Sequence, residues 1–245
     1  ALTGSIPISD GSLNSTRHAS EKFLKVGDKV YVSCWSYDRY LLVIDPVADV
    51  VVDSMKVPLQ PGSMVADRFG KVWVMSDGGF EGSPVGNENP ALTRIDPETR
   101  TIEQIFRFSK PSGFSSGLVI NRTLDTLLFI QDGIRKMAAK SQALPSQPFI
   151  PLKGRLFFSL AVDPDTGDIY AADAIDYAHR ALNLIDAGKV KEEKGEANRL
   201  KVGFLGLGHA ATLTSTPRSA QNQWMNSRNS EKSRLLMVLV RSPSI

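Results

Sequence analysis

Cysteine and histidine are scarce in this chain of 245 residues, which has one of the former and three of the latter. The single cysteine, Cys34, excludes a disulfide within the chain and a zinc site built from several cysteines. His18, His179 and His209 are widely separated, so we predict neither a metal centre nor a bound cofactor. No histidine lies near Cys34 in the sequence. We therefore interpret Cys34 as a small buried apolar residue and not as a catalytic thiol.

Long apolar runs and an excess of one charge are also missing. The run LLMVLV at 235–240 is far shorter than the roughly 20 residues of a membrane helix, so we predict no membrane span. Residues 181–245 hold 10 basic and 5 acidic side chains, which leaves 19 basic and 21 acidic ones for residues 1–180. The body of the chain is therefore nearly neutral, and we predict no nucleic-acid partner. The chain starts at Ala1 without Met or signal-peptide features, which we interpret as a removed signal peptide or a fragment.

What the sequence does contain is a repeated strand-and-turn pattern. In Val30–Val57, β-branched and aromatic residues form three short strands, and Asp45-Pro46 marks a turn between two of them. Three similar units follow, two of them with the same turn: 63–108 with Asp96-Pro97, 117–139, and 160–173 with Asp163-Pro164. The second strands of the four units begin near residues 30, 72, 127 and 169. We interpret the Asp-Pro pairs as turn formers and not as catalytic carboxylates.

Repeats of roughly 40–50 residues with about four short strands each are typical of β-propeller blades. We therefore predict an all-β protein, a β-propeller of four-stranded antiparallel blades. About four blades are present, which favours an open piece of a larger ring. A β-sandwich with uneven turns is the alternative, but a sandwich does not repeat one turn pattern in order.

The repeat pattern is predicted to end near residue 180. We assign 1–180 to a partial β-propeller and 181–245 to an atypical basic tail that is poorly packed or partly helical, with an amphipathic helix over 182–200. The tail is rich in Ser, Asn, Arg and Thr and lacks apolar alternation. We predict that it comes from another reading frame or from a fusion to unrelated sequence.

Five segments resemble the YVTN/YncE-like surface propellers. They are VSCWSYDRYLLVIDP (32–46), SMVADRFGKVWVMSDGG (63–79), ALTRIDPETRTIEQIFRF (91–108), LPSQPFIP (144–151) and LAVDPDTGDIYAADAIDY (160–177). The closest resemblance is to the outer-surface lipoprotein branch that includes BtuG-type cobalamin-binding proteins. This resemblance implies a seven-bladed ring at the cell surface or in the periplasm, a corrinoid (cobalamin) as the small-molecule ligand, and an outer-membrane TonB-dependent transporter as a partner.

Propeller ligands bind at one end of the central channel, on loops that join strands. In each of the four units, the loop after the second strand carries an Asp, and several of these loops add an aromatic residue. The candidate ligand-binding residues are Trp35, Tyr37, Asp38, Asp77, Phe80, Asp132, Asp173, Asp176 and Tyr177. A polar ring with aromatic platforms suits a planar or sugar-like ligand. The alternative is that these Asp residues only cap turns and that the aromatic residues belong to the core.

Three functions compete for this fold. The first, which we favour from the sequence, is a non-catalytic ligand-binding propeller. The second is a propeller enzyme such as a lactonase or a quinoprotein-like dehydrogenase, which needs a metal or cofactor set converging on the channel, usually of Glu, Asp, Asn and His. The third is a structural module that docks other proteins. Because the candidate loops offer Asp without His or Glu, we predict that the protein is not an enzyme.

Overall fold

The computed structural model describes residues 4–8, 18–109 and 116–174, and it adds the backbone of four strands within 180–212. Every regular element in these described residues is a β-strand. No described segment forms a helix with the length and hydropathy needed to cross a membrane.

The first two sheets are four-stranded and antiparallel, and their strands are hydrogen-bonded in chain order. The first sheet contains β1 (Ser20–Val26), β2 (Lys29–Cys34), β3 (Tyr40–Asp45) and β4 (Val50–Lys56). The second contains β5 (Pro61–Ala66), β6 (Val72–Ser76), β7 (Ala91–Asp96) and β8 (Thr101–Arg107). Their second strands begin where the repeat pattern predicts.

The third sheet is smaller than predicted, with the three strands β9 (Ser116–Ile120), β10 (Thr126–Ile130) and β11 (Ile134–Ala138). In place of a fourth strand, Ile150 forms an isolated antiparallel bridge to Ile134. The fourth sheet contains β12 (Phe157–Val162), β13 (Ile169–Ala174), β14 (Arg180–Asp186) and β15 (Lys189–Glu192). A fifth, two-stranded sheet pairs β16 (Gly203–Phe204) with β17 (Ala211–Thr212).

The helix predicted over 182–200 is wrong where the structure describes this region. Residues 180–186 pair with β13, and 189–192 pair with β14, so the fourth sheet continues past the boundary predicted near residue 180. The Lys/Glu-rich run has helical propensity, but pairing with an existing sheet edge overrides such a local preference. The predictions of a poorly packed tail and of a changed reading frame concern residues that are mostly outside the described ones.

The Asp-Pro turns have the structural role predicted for them. Asp45 Oδ1 accepts hydrogen bonds from the backbone N–H groups of Val47 and Ala48, at 2.9 and 3.0 Å. Asp96 and Asp163 accept the equivalent pairs of bonds from the residues two and three positions later. Each carboxylate thus fixes the tight turn between two strands. All three sites are turn formers, as the sequence indicates.

The hydrophobic core lies between successive sheets. One buried cluster joins the first and second sheets through residues such as Tyr31 and Val74, and a second joins the second and third sheets around Trp73 and Phe129. A third cluster joins the third and fourth sheets. The first strand of each sheet contacts the first strand of the next. Antiparallel sheets packed side by side in chain order with their first strands innermost are propeller blades, so the predicted fold is confirmed and the sandwich alternative is wrong.

Candidate ligand-binding site

The candidate residues lie on equivalent loops of consecutive blades, each joining the second strand to the third. These loops are 35–39 in the first blade, 77–90 in the second and 131–133 in the third. Strands of equal direction end at the same edge of each sheet, so the loops share one end of the blades. The corresponding loop of the fourth blade, 175–179, lies outside the described residues.

Trp35 and Asp77 connect the first two of these loops. The Trp35 indole Nε1–H donates to Asp77 Oδ2 at 2.6 Å, and the Gly79 backbone N–H donates to Asp77 Oδ1 at 2.8 Å. Both residues are half-buried, so Trp35 is not enclosed between sheets. This hydrogen bond joins the loop of the first blade directly to the loop of the second.

Tyr37 and Phe80, on the same two loops, form an exposed aromatic pair. Their ring centroids are 6.2 Å apart at an interplanar angle of 57°. Tyr37 is 45% exposed and Phe80 is 50% exposed, in contrast to the enclosed aromatic rings of the core. Tyr37 also has a φ of +57°, which is unusual for a bulky residue. The two blades thus hold two aromatic faces toward solvent at one place.

A buried connector supports both loops from beneath. It links β4 to β5 through residues 57–60, which are all buried. The Gln60 N–H donates to the Asp38 carbonyl at 2.8 Å, and the Gly78 N–H donates to the Leu59 carbonyl at 3.0 Å. The connector therefore fixes the loop of the first blade against the loop of the second.

Glu88 is a structural residue of this site that the sequence analysis missed. Its Oε1 accepts hydrogen bonds from the Leu59 N–H at 2.6 Å and from the Arg39 guanidinium at 3.1 Å. Burial alone raises the pKa of Glu88, but these bonds and the nearby Arg39 and Arg107 charges outweigh it and hold that pKa below its usual value. Glu88 therefore stays ionised and ties the long 77–90 loop to the connector. Its position in a Gly/Pro/Asn-rich loop gave no sequence signal of this role.

Asp38 does not face a ligand as predicted. It is 3% exposed, and its Oδ2 lies 2.7 Å from Nδ1 of His18, a residue that precedes β1. Its Oδ1 accepts a hydrogen bond from the Arg39 N–H at 2.6 Å. The interpretation that Cys34 has no nearby histidine is also wrong, because His18, Cys34 and Asp38 form one cluster. The loop before β1 brings His18 there, and a sequence separation of this kind gives no local signal.

The remaining candidate residues belong to the third and fourth sequence units. Asp132 is half-buried in the third loop and has a φ of +56°. The Asp173 backbone lies in β13, paired with Phe157, and its side chain is outside what the structure describes. Asp176 and Tyr177 also lie outside the described residues. The structure therefore brings four of the nine predicted residues together on two adjacent loops, Trp35, Tyr37, Asp77 and Phe80, and their role in binding stays a prediction.

Replacing Asp77 by asparagine is expected to change the pH dependence of stability. Burial raises the pKa of Asp77, and this effect exceeds that of the bonds from Gly79 and Trp35. The folded state therefore favours protonation, so stabilisation by this group is present below pH ~4 and is lost as the pH rises through the raised pKa. Urea unfolding at a series of pH values should show this loss in the wild type and not in D77N.

Asp45 provides a control with the opposite sign. Hydrogen bonds from the Ala48 and Val47 N–H groups hold the pKa of Asp45 below its usual value. Its stabilisation is present above the usual aspartate pKa and is lost as the pH falls through the lowered one. D45N should remove the loss of stability at low pH that Asp45 causes. It should keep the loss of stability with rising pH that Asp77 causes. A D77N protein with the pH dependence of the wild type would contradict the raised pKa.

No protein-family model and no curated protein matches the sequence. Solved structures do match. Hydrazine synthase of Kuenenia stuttgartiensis is similar with a TM-score of 0.54 and 15% identity, over 75% of this chain and 51% of that one. The WD40 propeller domain of Doa1 has a TM-score of 0.47 and 13% identity, over 65% of this chain and 48% of that one. A luciferin-regenerating enzyme has a TM-score of 0.48 and 12% identity, over 71% of this chain and 59% of that one.

The chain thus spans about half the length of the first two of these structures. The likeness supports the β-propeller fold, and it gives no support to the narrower resemblance to YncE-like or cobalamin-binding surface propellers. The sequence-based exclusion of an enzyme is wrong, because the propeller neighbours include an enzyme, hydrazine synthase. At 15% identity this likeness shows the fold and assigns no reaction to the present chain.

Proposed function

We propose that this propeller binds a planar small molecule with an apolar face on the platform formed by Tyr37 and Phe80. The observation that carries the proposal is the exposed aromatic pair, 6.2 Å between centroids, contributed by two adjacent blades. Exposed aromatic rings supply a large contact area with few rotatable bonds, so little conformational entropy is lost when a ligand stacks on them.

The layer beneath the platform supports a binding role. The Trp35–Asp77 hydrogen bond joins the two loops that carry Tyr37 and Phe80. Glu88 and the buried connector fix the same loops through backbone bonds. A site held in this way loses less entropy on binding than one on free loops. Each Asp77 oxygen accepts a hydrogen bond, from Trp35 or from Gly79, and a carboxylate can accept further bonds from ligand amides or hydroxyls.

A corrinoid is the ligand that we propose within this class, and it rests on the sequence resemblance. The corrin ring is planar and apolar on its faces and carries amide groups at its edge, which suits an aromatic platform with polar neighbours. The same resemblance supports the proposal that the protein works at the cell surface or in the periplasm beside an outer-membrane transporter.

Equilibrium dialysis of the full chain against cyanocobalamin tests the proposal. Removing both rings in a Y37A/F80A variant is expected to weaken binding about tenfold or more, since each aromatic contact contributes roughly 0.5–1.5 kcal/mol. Phe69→Ala is the matched control, because Phe69 is an exposed aromatic residue, 40% exposed, on a turn outside this site. It should bind like the wild type.

Two results would contradict different parts of this proposal. Wild-type protein that does not retain cyanocobalamin at millimolar concentration would overturn the corrinoid assignment. Equal binding by the wild type and by Y37A/F80A would show that the aromatic pair is not the site.

A further inference from the structure

We propose that His18, Cys34 and Asp38 form a binding site for a divalent metal ion of the zinc class, next to the aromatic platform. Each residue offers one ligand atom, and the imidazole nitrogen, the thiol sulfur and the carboxylate oxygen all lie within 4.8 Å of one another. Three protein segments supply them: the stretch before β1, the end of β2 and the loop that follows. This site is independent of the ligand proposed above.

The spacing suits a small ion after modest adjustment. Zinc bonds of about 2.0–2.3 Å place tetrahedral ligand atoms roughly 3.3–3.7 Å apart. His18 Nδ1 and Asp38 Oδ2 are 2.7 Å apart, so they need to separate slightly, while the sulfur moves inward. Rotations of the three side chains can supply such movements. The main chain need not move, and the hydrogen bond from the Trp35 N–H to the Ala19 carbonyl, at 3.0 Å, already holds the two segments together.

The choice of donors points to a soft or borderline metal. A thiolate and an imidazole favour zinc, cobalt or cadmium over calcium and magnesium, which prefer oxygen ligands. A thiolate and a carboxylate together carry two negative charges, which a divalent ion balances. Charge balance is important here because Cys34 is 0% exposed and Asp38 is 3% exposed.

The surroundings of the sulfur agree with this role and disagree with a nucleophilic one. Cys34 packs among Val32, Leu42 and Ile44, and Ile6 and Ile8 cover this cluster. Within the described part of the chain, the thiol makes no hydrogen bond. Because Cys34 is fully buried, its thiol has no access to a substrate in solution.

The metal would leave one coordination position open toward His18. The His18 side chain is the most accessible of the three, at 14% exposure, so water can approach the ion from that side. Three protein ligands and a water form the coordination typical of zinc sites that activate water. The ion would also tie the stretch before β1 to the loop that carries Tyr37.

Cobalt substitution gives a direct test on the full-length chain. After treatment with a chelator, the protein is titrated with Co²⁺ and monitored by absorbance. We expect a thiolate-to-cobalt charge-transfer band that saturates at one ion per chain and disappears when Zn²⁺ is added. C34A should lose the band, and H18Q and D38N should bind cobalt at least about tenfold more weakly. D45N, which changes a carboxylate in the turn between β3 and β4, should bind like the wild type.

Circular dichroism of each variant shows whether it is folded, so that a loss of cobalt binding can be told from a loss of structure. If C34A fails to fold, H18Q and D38N still test the site, because each keeps the cysteine and changes a different ligand. Absence of the charge-transfer band in folded wild-type protein at millimolar Co²⁺ would overturn the proposal. Undiminished cobalt affinity in both H18Q and D38N would do the same, since a lone cysteine would then be the only ligand involved.

Discussion

Replacing Trp73 by alanine is expected to lower the free energy of unfolding by about 4 kcal/mol. Trp73 is 0% exposed and stacks on Phe106 with ring centroids 5.8 Å apart. Its Nε1–H donates to Asp67 Oδ2 at 2.8 Å in a buried hydrogen bond. The substitution therefore opens a cavity between the second and third blades and removes a hydrogen-bond donor from a buried carboxylate. Urea unfolding followed by circular dichroism measures the loss.

Two further variants separate the contributions at Trp73. W73F keeps an aromatic ring but loses the hydrogen bond to Asp67, so a loss of about 1–3 kcal/mol is expected. Phe69→Ala removes an aromatic ring that is 40% exposed and whose centroid lies 4.3 Å from Lys140 Nζ. It should lower the free energy of unfolding by less than about 1 kcal/mol. A W73A protein destabilised no more than Phe69→Ala would refute the assigned packing between the blades.

Replacing Gly78 by alanine is expected to lower the free energy of unfolding by about 3–5 kcal/mol and to displace the 77–90 loop. Gly78 has a φ of +80°, where an L-residue is strained by roughly 1–2 kcal/mol. A Cβ built at Gly78 would also overlap the carbonyl oxygen of Glu88 and lie 3.0 Å from the Pro90 nitrogen. These are backbone atoms that cannot rotate away, so the loop must shift, which adds a few kcal/mol.

Gly82 is a matched control in the same loop. Its φ is +82°, close to that of Gly78, but a Cβ there meets nothing within 4 Å. Gly82→Ala should therefore show the conformational cost alone, about 1 kcal/mol. Thermal and urea unfolding of the two variants isolates the steric contribution. Equal destabilisation of both would mean that the close approach of Gly78 to Glu88 is not a constraint on the fold.

Local sequence signals predicted most of the fold. The strands β2, β6, β10 and β13 begin at or within one residue of the positions expected from the repeat, and Asp45, Asp96 and Asp163 form the expected turns. These features depend on side chains that act within a few residues of themselves. The strands β14 and β15 were missed because the predicted helix overlapped both and the Lys/Glu-rich run that begins in β15 has helical propensity. Their structure is instead determined by pairing, of β14 with the edge of β13 and of β15 with β14.

The candidate site was less predictable because its contacts join distant segments. Asp38 and Asp77 occupy equivalent loops and look alike in sequence. Asp77 accepts a hydrogen bond from Trp35, 42 residues away, whereas Asp38 is buried against His18, 20 residues away. Glu88 reaches Leu59, 29 residues earlier. Turn chemistry gives each carboxylate a plausible local role, and only the packing of neighbouring blades decides which partner it meets.

The pairing of strands in chain order also determines when each sheet can form while the chain is being synthesised. A β-hairpin forms in about 1–10 µs. A ribosome adds roughly 5–20 residues per second, so the residues of a second blade take several seconds to follow the first. Because each strand of the first sheet pairs with its immediate predecessor, that sheet can be complete while the next is still being translated. The apolar face around Leu41 and Val43 then stays exposed to solvent for seconds, until Val74 and Ile95 have been synthesised and pack against it. During this interval the uncovered apolar face makes the nascent chain prone to aggregation.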